Sequence, residues 1–369
     1  MKNLQKLSFI FAIIIASCST DKQNEEIKEF SFQSETFADL KILKYQIPGF
    51  DKLNLKQQKL VYYLGEAGYA GRDIIWDQNY RHNLSIRRAL ENIVLKFEGD
   101  KTSDNWTNFI TYTKRVWFAN GIHHHYSMAK FIPEFTEEYF MQLLNSTGGT
   151  LNEEALKAIF NPDFDSKKVN LDPSKGLVLG SAVNFYAADI NESEVDEYFN
   201  SIKDTTTNTP ISYGLNSKLI RGEQGLEEQV YKLNGMYGDA IAKIIYWLEK
   251  AITVAENQAQ ADALKLLVDY YTTGDLKTWD DYNIAWVAAT EGDIDYINSF
   301  IEVYNDPKGY TGSFESIVEI TDFEASAQMK VLSDNAQWFE DNSSINEEHK
   351  KKNIKGVSYK VVSVASEAG

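Results

Sequence analysis

The most regular hydrophobic pattern in the chain lies between Ala240 and Tyr271. Apolar residues recur there three and four positions apart, which is the spacing of one face of an α-helix. The first stripe consists of Ile241, Ile244, Ile245, Leu248, Ile252 and Ala255, and the second of Leu264, Leu267, Val268 and Tyr271. The pattern therefore predicts amphipathic helices that bury one side against a core.

Similar spacing predicts further helices along the rest of the chain. They cover Leu55–Ala70, Leu84–Phe97, Asp104–Ala119, Thr136–Leu144, Asn152–Phe160, Glu192–Ile202, Thr278–Ala289, Ile294–Tyr304 and Phe323–Asn335. Partial alternation and β-branched residues instead favour strands at Phe37–Ile47 and Val357–Val364. The sequence thus predicts a mixed α and β protein in which helices dominate.

The N-terminus has the pattern of a secretion signal. Lys2 and Lys6 precede an apolar run from Leu7 to Ala16. Ten helical residues rise only ~15 Å, about half of a ~30 Å hydrocarbon layer, so the run is too short to span a membrane. Its length is typical of the core of a signal peptide, and we assign residues 1–17 to that role.

Cys18 is the only cysteine of the chain and directly follows this signal. The sequence Ile-Ala-Ser-Cys resembles a bacterial lipobox, in which the cysteine thiol is acylated. This predicts membrane lipid as a partner, and a lipoprotein on the periplasmic or cell-surface face of a bacterial envelope. The alternative is a plain secretory signal with an incidental cysteine. Polar residues 18–35 predict a flexible tether, and their acidic residues resemble the surface-export signals of Bacteroidetes lipoproteins.

The composition indicates a folded protein and argues against nucleic-acid binding. Hydrophobic residues make up 43% of the 369 residues, enough for a large core or a two-lobed body. The formal net charge is −17, so the surface repels phosphate backbones. Nucleic acid is therefore not expected as a partner.

Three consecutive histidines, His123, His124 and His125, raise the question of a metal site. A metal needs three or four ligands that converge on one point, whereas consecutive side chains diverge on a helix or a strand. The other interpretation is that these imidazoles hydrogen-bond the backbone. None of the five histidines is followed by glutamate, so the His-Glu-x-x-His helix of zinc hydrolases is missing. From the residues alone we assign neither a catalytic residue nor a metal ligand in this chain.

The glycine-rich stretch GEAGYAG, from Gly65 to Gly71, lacks the spacing of a nucleotide-binding loop. It also continues a helical stripe. We therefore expect its glycines to allow close packing of a helix against a neighbouring element.

Several long stretches resemble bacterial members of the dipeptidyl peptidase III family, peptidase family M49. They are Tyr62–Glu91, Val116–Phe135, Tyr213–Leu219, Tyr246–Gln260, Phe300–Val318 and Ser333–Ser343. The resemblance implies a zinc metallopeptidase that releases dipeptides from the free amino ends of oligopeptides. The family's His-Glu-x-x-Gly-His helix, its Glu-Glu-x-x-Ala/Ser-Asp helix and its Gly-Ile-Asn-x-Pro-Asn strand are missing from this chain. We therefore expect the N-terminal portion of such an enzyme, inactive by itself and without a cofactor, although the full-length family uses zinc.

The resemblance also implies a fold. It predicts an α+β structure, mostly helical with a small β-barrel-like core, similar to the lower lobe of a two-lobed peptidase. Residues 36–313 would form that lobe, 314–350 a helical segment of the upper lobe, and 351–369 a returning, truncated strand. Asp295 and Tyr296 resemble the family's substrate-binding acid and tyrosine, with a register shifted by one residue. Alternatively, they are a surface acid and a core tyrosine.

Two other functions remain open at this stage. The chain could be a non-catalytic surface lipoprotein that binds peptides or solutes. It could also be one half of a split peptidase whose zinc-bearing half is encoded separately.

Overall fold

The computed structural model describes residues 30–354 and 360–369. The chain divides into two compact units, Met1–Tyr45 and Gln46–Gly369. The predicted signal peptide, Cys18 and the tether as far as residue 29 lie outside the described residues. Within them, no helix is both long and apolar enough to cross a bilayer.

The described part of the first unit is a β-hairpin. Strand β1 (Gln33–Phe37) pairs antiparallel with β2 (Leu40–Leu43). The strand predicted for Phe37–Ile47 is confirmed only over Leu40–Leu43, because the chain reverses at Ala38, whose φ of 48° is left-handed. Strand β1 also begins inside the segment that we had assigned to the tether.

Eleven α-helices occur among the described residues of the second unit. They are α1 (Leu55–Asn79), α2 (Asn83–Lys96), α3 (Asp104–Phe118), α4 (Glu137–Ser146), α5 (Glu153–Phe160), α6 (Glu192–Ile202), α7 (Gly238–Ile252), α8 (Gln258–Thr273), α9 (Leu276–Ala288), α10 (Phe323–Asp334) and α11 (Ala336–Asp341). A capping box formed by Asn54 and Gln57 begins α1, which extends well past its predicted end at Ala70.

The strands of this unit form a hairpin and a sheet. The hairpin joins β3 (Ser217–Gly222) to β4 (Gly225–Val230). The sheet contains β5 (Ile294–Glu302), β6 (Ser313–Thr321) and β7 (Val362–Ala368), antiparallel in the order β5-β6-β7. The helix-dominated α+β class is confirmed, but within the described residues this sheet is open and does not close into a barrel.

The helix predicted for Ile294–Tyr304 is wrong, because Ile294–Glu302 is strand β5. Ile294, Ile297 and Ile301 are three and four positions apart, so they imitate a helical face. Tyr296 and Asn298 are also buried, and pairing with β6 satisfies the backbone on one edge of β5.

Residues 314–350 were expected to be helical. They instead begin within strand β6 and continue into α10 and α11. The returning strand is present as β7, a few residues later than predicted, and residues 355–359 of the predicted strand lie outside the described residues. The proposed division into lobes at 313 and 350 stays a prediction.

Helix α1 packs its glycine face directly on the sheet. A Cβ atom added at Gly65 would lie 3.3 Å from Ser366 Oγ, and one at Gly68 would lie 2.6 Å from Ser316 Oγ. At Gly71 it would lie 2.1 Å from Cζ of Phe314. The glycines therefore serve close helix–sheet packing, as the sequence predicted.

Candidate functional site

The structure places Asp295 and Tyr296 on strand β5, with different environments. Tyr296 is only 2% exposed and belongs to the apolar core between α1, α7, α8 and the sheet. Burial raises the pKa of its phenol well above its ordinary value. Asp295 is partly buried and accepts a hydrogen bond from Trp286 Nε1 at 3.0 Å. Their assignment as substrate-binding residues stays a prediction.

The histidine stretch has mainly backbone partners. The Nε2 atom of His123 lies 2.7 Å from the carbonyl oxygen of Asp165, and Nδ1 of His124 accepts from the backbone N–H of Tyr126 at 3.1 Å. Burial lowers the pKa of His123 to about 4, so its ring is neutral at pH 7. The ring of His125 stacks on that of His124 with centroids 4.5 Å apart. Two of the three imidazoles therefore hydrogen-bond the backbone, as the second interpretation expected.

Next to this loop a cavity of about 220 Å³ opens in the second unit. Helix α1 contributes Ile75 and Asn79 to its lining, and the histidine loop contributes His125. The ends of the three strands of the sheet, including Gly369 beside β7, complete the wall. The cavity therefore begins where the glycine face of α1 ends.

One wall of the cavity carries a buried cation, Lys168, which is only 5% exposed. The hydrogen bond of its ammonium within the described residues is to Oδ1 of Asn79, at 3.3 Å. Burial lowers the pKa of this ammonium to about 8. His125 also lines the cavity, and burial together with His124 and Lys168 lowers its pKa as well.

Lys130, a second buried lysine outside the cavity lining, shows how such a charge is usually satisfied. It is 8% exposed, and its ammonium donates to the carbonyl oxygen of Asn161 at 2.6 Å and to that of Phe164. Burial lowers its pKa to about 8 too. Lys168 is thus as deeply buried as Lys130, but its ammonium has one long hydrogen bond where that of Lys130 has two.

Acidic side chains also line the cavity. Glu302 of β5, Glu315 of β6 and Glu367 of β7 line the cavity at the ends of their strands. Burial raises the pKa of Glu315, and the nearby charges of Glu302 and Glu367 raise it further. Glu302 and Glu367 are exposed, whereas Glu315 is partly buried. The lining of the cavity therefore includes a buried cation as well as carboxylates.

Two polar atoms in the lining lack a partner in the described structure. Oδ1 of Asn305 is buried without a donor, although its Nδ2 donates to Ser313 Oγ at 3.0 Å. Nδ1 of His125 is also buried without a partner. Such atoms cost free energy unless a ligand or water satisfies them.

A larger groove of about 470 Å³ lies elsewhere in this unit, between α6, the loop before β3 and strand β5. Its lining is mainly apolar, and Phe199 and Tyr310 stack there with ring centroids 4.0 Å apart. It offers no comparable cluster of charges.

Sequence reasoning singled out only His125 among the charged and unpartnered groups of the smaller cavity. Asn79, Lys168, Asn305 and Glu367 come from distant parts of the chain, and no local motif connects them. Among residues 30–354 and 360–369, no three His, Cys, Asp or Glu side chains are arranged to hold a metal ion.

Comparison with protein families gives a match to the model of peptidase family M49 over residues 208–365. Two relatives are both named dipeptidyl peptidase 3. The Dictyostelium discoideum protein is 21% identical over 320 residues, covering 79% of this chain and 45% of that protein. The Mus musculus protein is 32% identical over 127 residues, covering 34% of this chain and 17% of that protein.

Two solved structures share the fold. A structure of DPP III from Caldithrix abyssi superposes with a TM-score of 0.56 and 20% identity, covering 86% of this chain and 50% of that one. A dipeptidyl-peptidase III from Corallococcus sp. strain EGB has the same TM-score with 14% identity, covering 86% and 49%. The chain thus spans at most about half the length of these relatives.

Proposed function

Because this chain belongs to the dipeptidyl peptidase III family, we propose that it takes part in removing dipeptides from the free amino ends of oligopeptides. The family match over residues 208–365 is the observation that carries this proposal. The shared fold with two dipeptidyl peptidases III supports it. Since the chain spans about half of those proteins, its proposed part is one lobe of the peptide-binding cleft.

The family is a metallopeptidase family, so its zinc has to be tested against the residues present. The described residues offer no group of ligands that fits an ion. In the sequence, no histidine is followed by the glutamate that would activate water. We therefore propose that the polypeptide of these 369 residues binds peptides but does not cleave them by itself.

The experiment is a metal and activity assay on the purified polypeptide. We expect substoichiometric zinc by mass spectrometry and no release of naphthylamine from dipeptidyl-naphthylamides. A complete dipeptidyl peptidase III from Caldithrix abyssi, assayed in parallel, is the positive control. Turnover by the 369-residue polypeptide that a chelator abolishes would contradict the proposal.

For the substrate contact, we propose that Asp295 meets the peptide's amino end. Its carboxylate is fixed by Trp286 and by the backbone N–H of Tyr296, at 3.0 and 2.8 Å. Asp295→Asn should weaken binding of a free pentapeptide and leave binding of its N-acetylated form unchanged. Equal effects on the two peptides would argue against this contact.

For the location of the protein, we propose a lipid anchor at Cys18 in a bacterial envelope. The support is the position of the chain's only cysteine directly after a signal-like segment. Metabolic labelling with a fatty-acid analogue should mark the protein and should fail for Cys18→Ala. Ser17→Ala is the matched control, and undiminished labelling of Cys18→Ala would refute the anchor.

A further inference from the structure

We propose that a further cavity of the second unit, here called the cation pocket, binds a compact tetrahedral oxyanion such as inorganic phosphate or sulfate. The cation pocket has a volume of about 190 Å³, and its lining includes Arg81, which follows α1, and Lys218 of β3. Asp165 and residues of the segment from Val178 to Ile190 supply the rest of the lining. The inference concerns binding alone and does not depend on the proposed peptidase function.

Asn184 connects the two sides of the cation pocket. Its backbone N–H donates to the carbonyl oxygen of Gln78 in the last turn of α1 at 2.8 Å, and its Nδ2 donates to Oδ2 of Asp77 at 3.0 Å. Its Oδ1 accepts a hydrogen bond from Nζ of Lys218 at 2.5 Å. Because Arg81 lies three residues beyond Gln78, the fold brings the Lys218 ammonium to the end of the helix that Arg81 follows.

The ammonium of Lys218 has no carboxylate partner among residues 30–354 and 360–369. It is partly buried, and its one hydrogen bond there is to the neutral amide of Asn184. Lys308, which is also partly buried, instead forms an ion pair with Asp196 at 2.8 Å. A partly buried cation without a directly bonded counter-ion costs free energy. An anion in the pocket would reduce that cost.

Arg81 also has N–H groups that the protein does not use. Its Nη2 serves both of its carboxylate partners, Glu154 Oε1 at 2.8 Å and Asp165 Oδ2 at 3.0 Å. Within the described part of the chain, its Nε and Nη1 form no hydrogen bond, and the side chain is 30% exposed, so a ligand can reach it. Charged N–H donors form shorter and stronger hydrogen bonds to phosphate and sulfate oxygens than neutral donors do.

The two cations lie close enough to repel each other. Burial lowers the pKa of the Lys218 ammonium, the charge of Asp77 opposes this shift, and the charge of Arg81 adds to it. Asp165, the carboxylate of the lining, is already engaged by Arg81 and by the hydroxyl of Tyr80 at 2.7 Å. Two cations and one carboxylate leave the lining with an excess of positive charge, in a chain whose net charge is −17.

These charges favour an oxyanion over other small ligands. A metal cation would be repelled by Arg81 and Lys218, and a neutral molecule would leave Lys218 without a counter-ion. The two oxygens of a carboxylate lie in one plane, whereas those of phosphate and sulfate point to the corners of a tetrahedron. A tetrahedral anion can therefore bind cations from two separate chain segments at once.

The test is calorimetric titration of the 369-residue polypeptide near pH 7 with sodium phosphate, sodium sulfate and sodium acetate. Sodium chloride holds the ionic strength constant, because salt screens exposed charges. We expect phosphate or sulfate to bind at millimolar concentration or below, and acetate to bind at least about tenfold more weakly. No binding of either tetrahedral anion, or binding of acetate as tight as theirs, would overturn the proposal.

Two changes at Lys218 locate the binding. Lys218→Met should weaken phosphate binding about tenfold, and Lys218→Arg, which keeps the charge, should bind phosphate more tightly than Lys218→Met does. Lys175→Met, the same change at an exposed lysine outside the lining, is the control and should bind like the wild type.

Circular dichroism and thermal unfolding establish that each variant is folded. A folded Lys218→Met that binds phosphate as tightly as the wild type would overturn the assignment to the cation pocket. If Lys218→Met does not fold, the titrations of the wild type and of Lys218→Arg still decide the matter. The zinc and hydrolysis assay does not depend on these outcomes, so the failure of one proposal is distinguishable from that of the other.

Discussion

Helix α1 meets the sheet in two different ways along its length. In its middle, Gly65, Gly68 and Gly71 bring the helix so close to β6 and β7 that added Cβ atoms would collide at the latter two positions. Near its C-terminal end, Ile75 and Asn79 instead line a cavity that contains a buried lysine and an unpartnered amide oxygen. The middle is close-packed, whereas the end accepts unsatisfied polar groups.

The middle of α1 and its C-terminal end therefore have different roles, the first in stability and the second in lining a cavity. Close packing without polar mismatch is what stability favours. A buried charge with one weak partner works against stability, and such departures from good packing concentrate at binding sites. The four predictions that follow test two points. The packed region should raise the free energy of unfolding, and the buried charges in and near the cavity should lower it.

The largest effect is expected in the packed region. The double variant Gly68→Ala with Gly71→Ala should lower the free energy of unfolding by about 3 kcal/mol. The reason is that the Cβ at position 68 overlaps with Ser316 and the Cβ at position 71 overlaps with Phe314. Urea denaturation measures it. Gly65→Ala is the matched control, since its Cβ lies 3.3 Å from Ser366 Oγ and the helix gains up to about 1 kcal/mol in propensity. Equal destabilisation by the control would contradict this picture.

In the cavity, removing the charge of Lys168 should stabilise the protein. Lys168→Met should raise the free energy of unfolding at pH 7 by about 2 kcal/mol, because it eliminates a poorly paired buried ammonium. The folded pKa of about 8 lies below the ordinary 10.5, so the unfolded chain binds the proton more tightly. Wild-type stability should therefore contain a contribution that rises between those pH values and is missing in the variant. A destabilised variant would refute this account.

The buried His123 should make stability sensitive to acid. Its pKa is lowered to about 4, from 6.5, mainly by burial, so protons bind the unfolded chain preferentially as pH falls through this range. The wild type should lose up to about 1.4 kcal/mol per pH unit through this group. Urea unfolding of wild type and His123→Gln at several pH values isolates that share. Parallel curves for the two proteins would show that His123 contributes nothing.

The smallest effect on stability is expected at Glu315. Glu315→Gln should stabilise the protein by less than about 1 kcal/mol, because it removes a partly buried charge and the repulsion of that charge by Glu302 and Glu367. Since the pKa of Glu315 is raised, this gain should be largest at neutral pH and shrink as pH falls. Thermal unfolding at low and high salt checks it, and a gain that is insensitive to both pH and salt would have another origin.

The sequence predicted the packed region much better than the cavity. The helical spacing and the small residues of GEAGYAG were enough to predict close packing of α1, because both are local properties. The partner was not predictable, since Phe314 and Ser316 lie in a segment that was expected to be helical. Strand β5, Ile294–Glu302, was also wrongly predicted as a helix. Its isoleucine spacing fits a helix, and only pairing with β6 makes it a strand.

The cavity could not be predicted because it depends on where chain segments meet. Lys168, Asn305 and Glu315 are unremarkable in the sequence, and only the folded chain brings them together around one space. The hydrophobic pattern and the family resemblance both predicted the helix-dominated fold class, and neither pointed to this cavity.

Gln78, in the last turn of α1, binds the start of strand β6. Its Nε2 donates to the carbonyl oxygen of Gly312 at 3.0 Å, and its Oε1 accepts from the N–H of Phe314 at 2.8 Å. The side chain thereby imitates a neighbouring strand and fixes how far the helix can slide along the sheet. Because these two hydrogen bonds join the last turn of α1 to the start of β6, amide exchange at Phe314 and in the last turn of α1 should slow or quicken together.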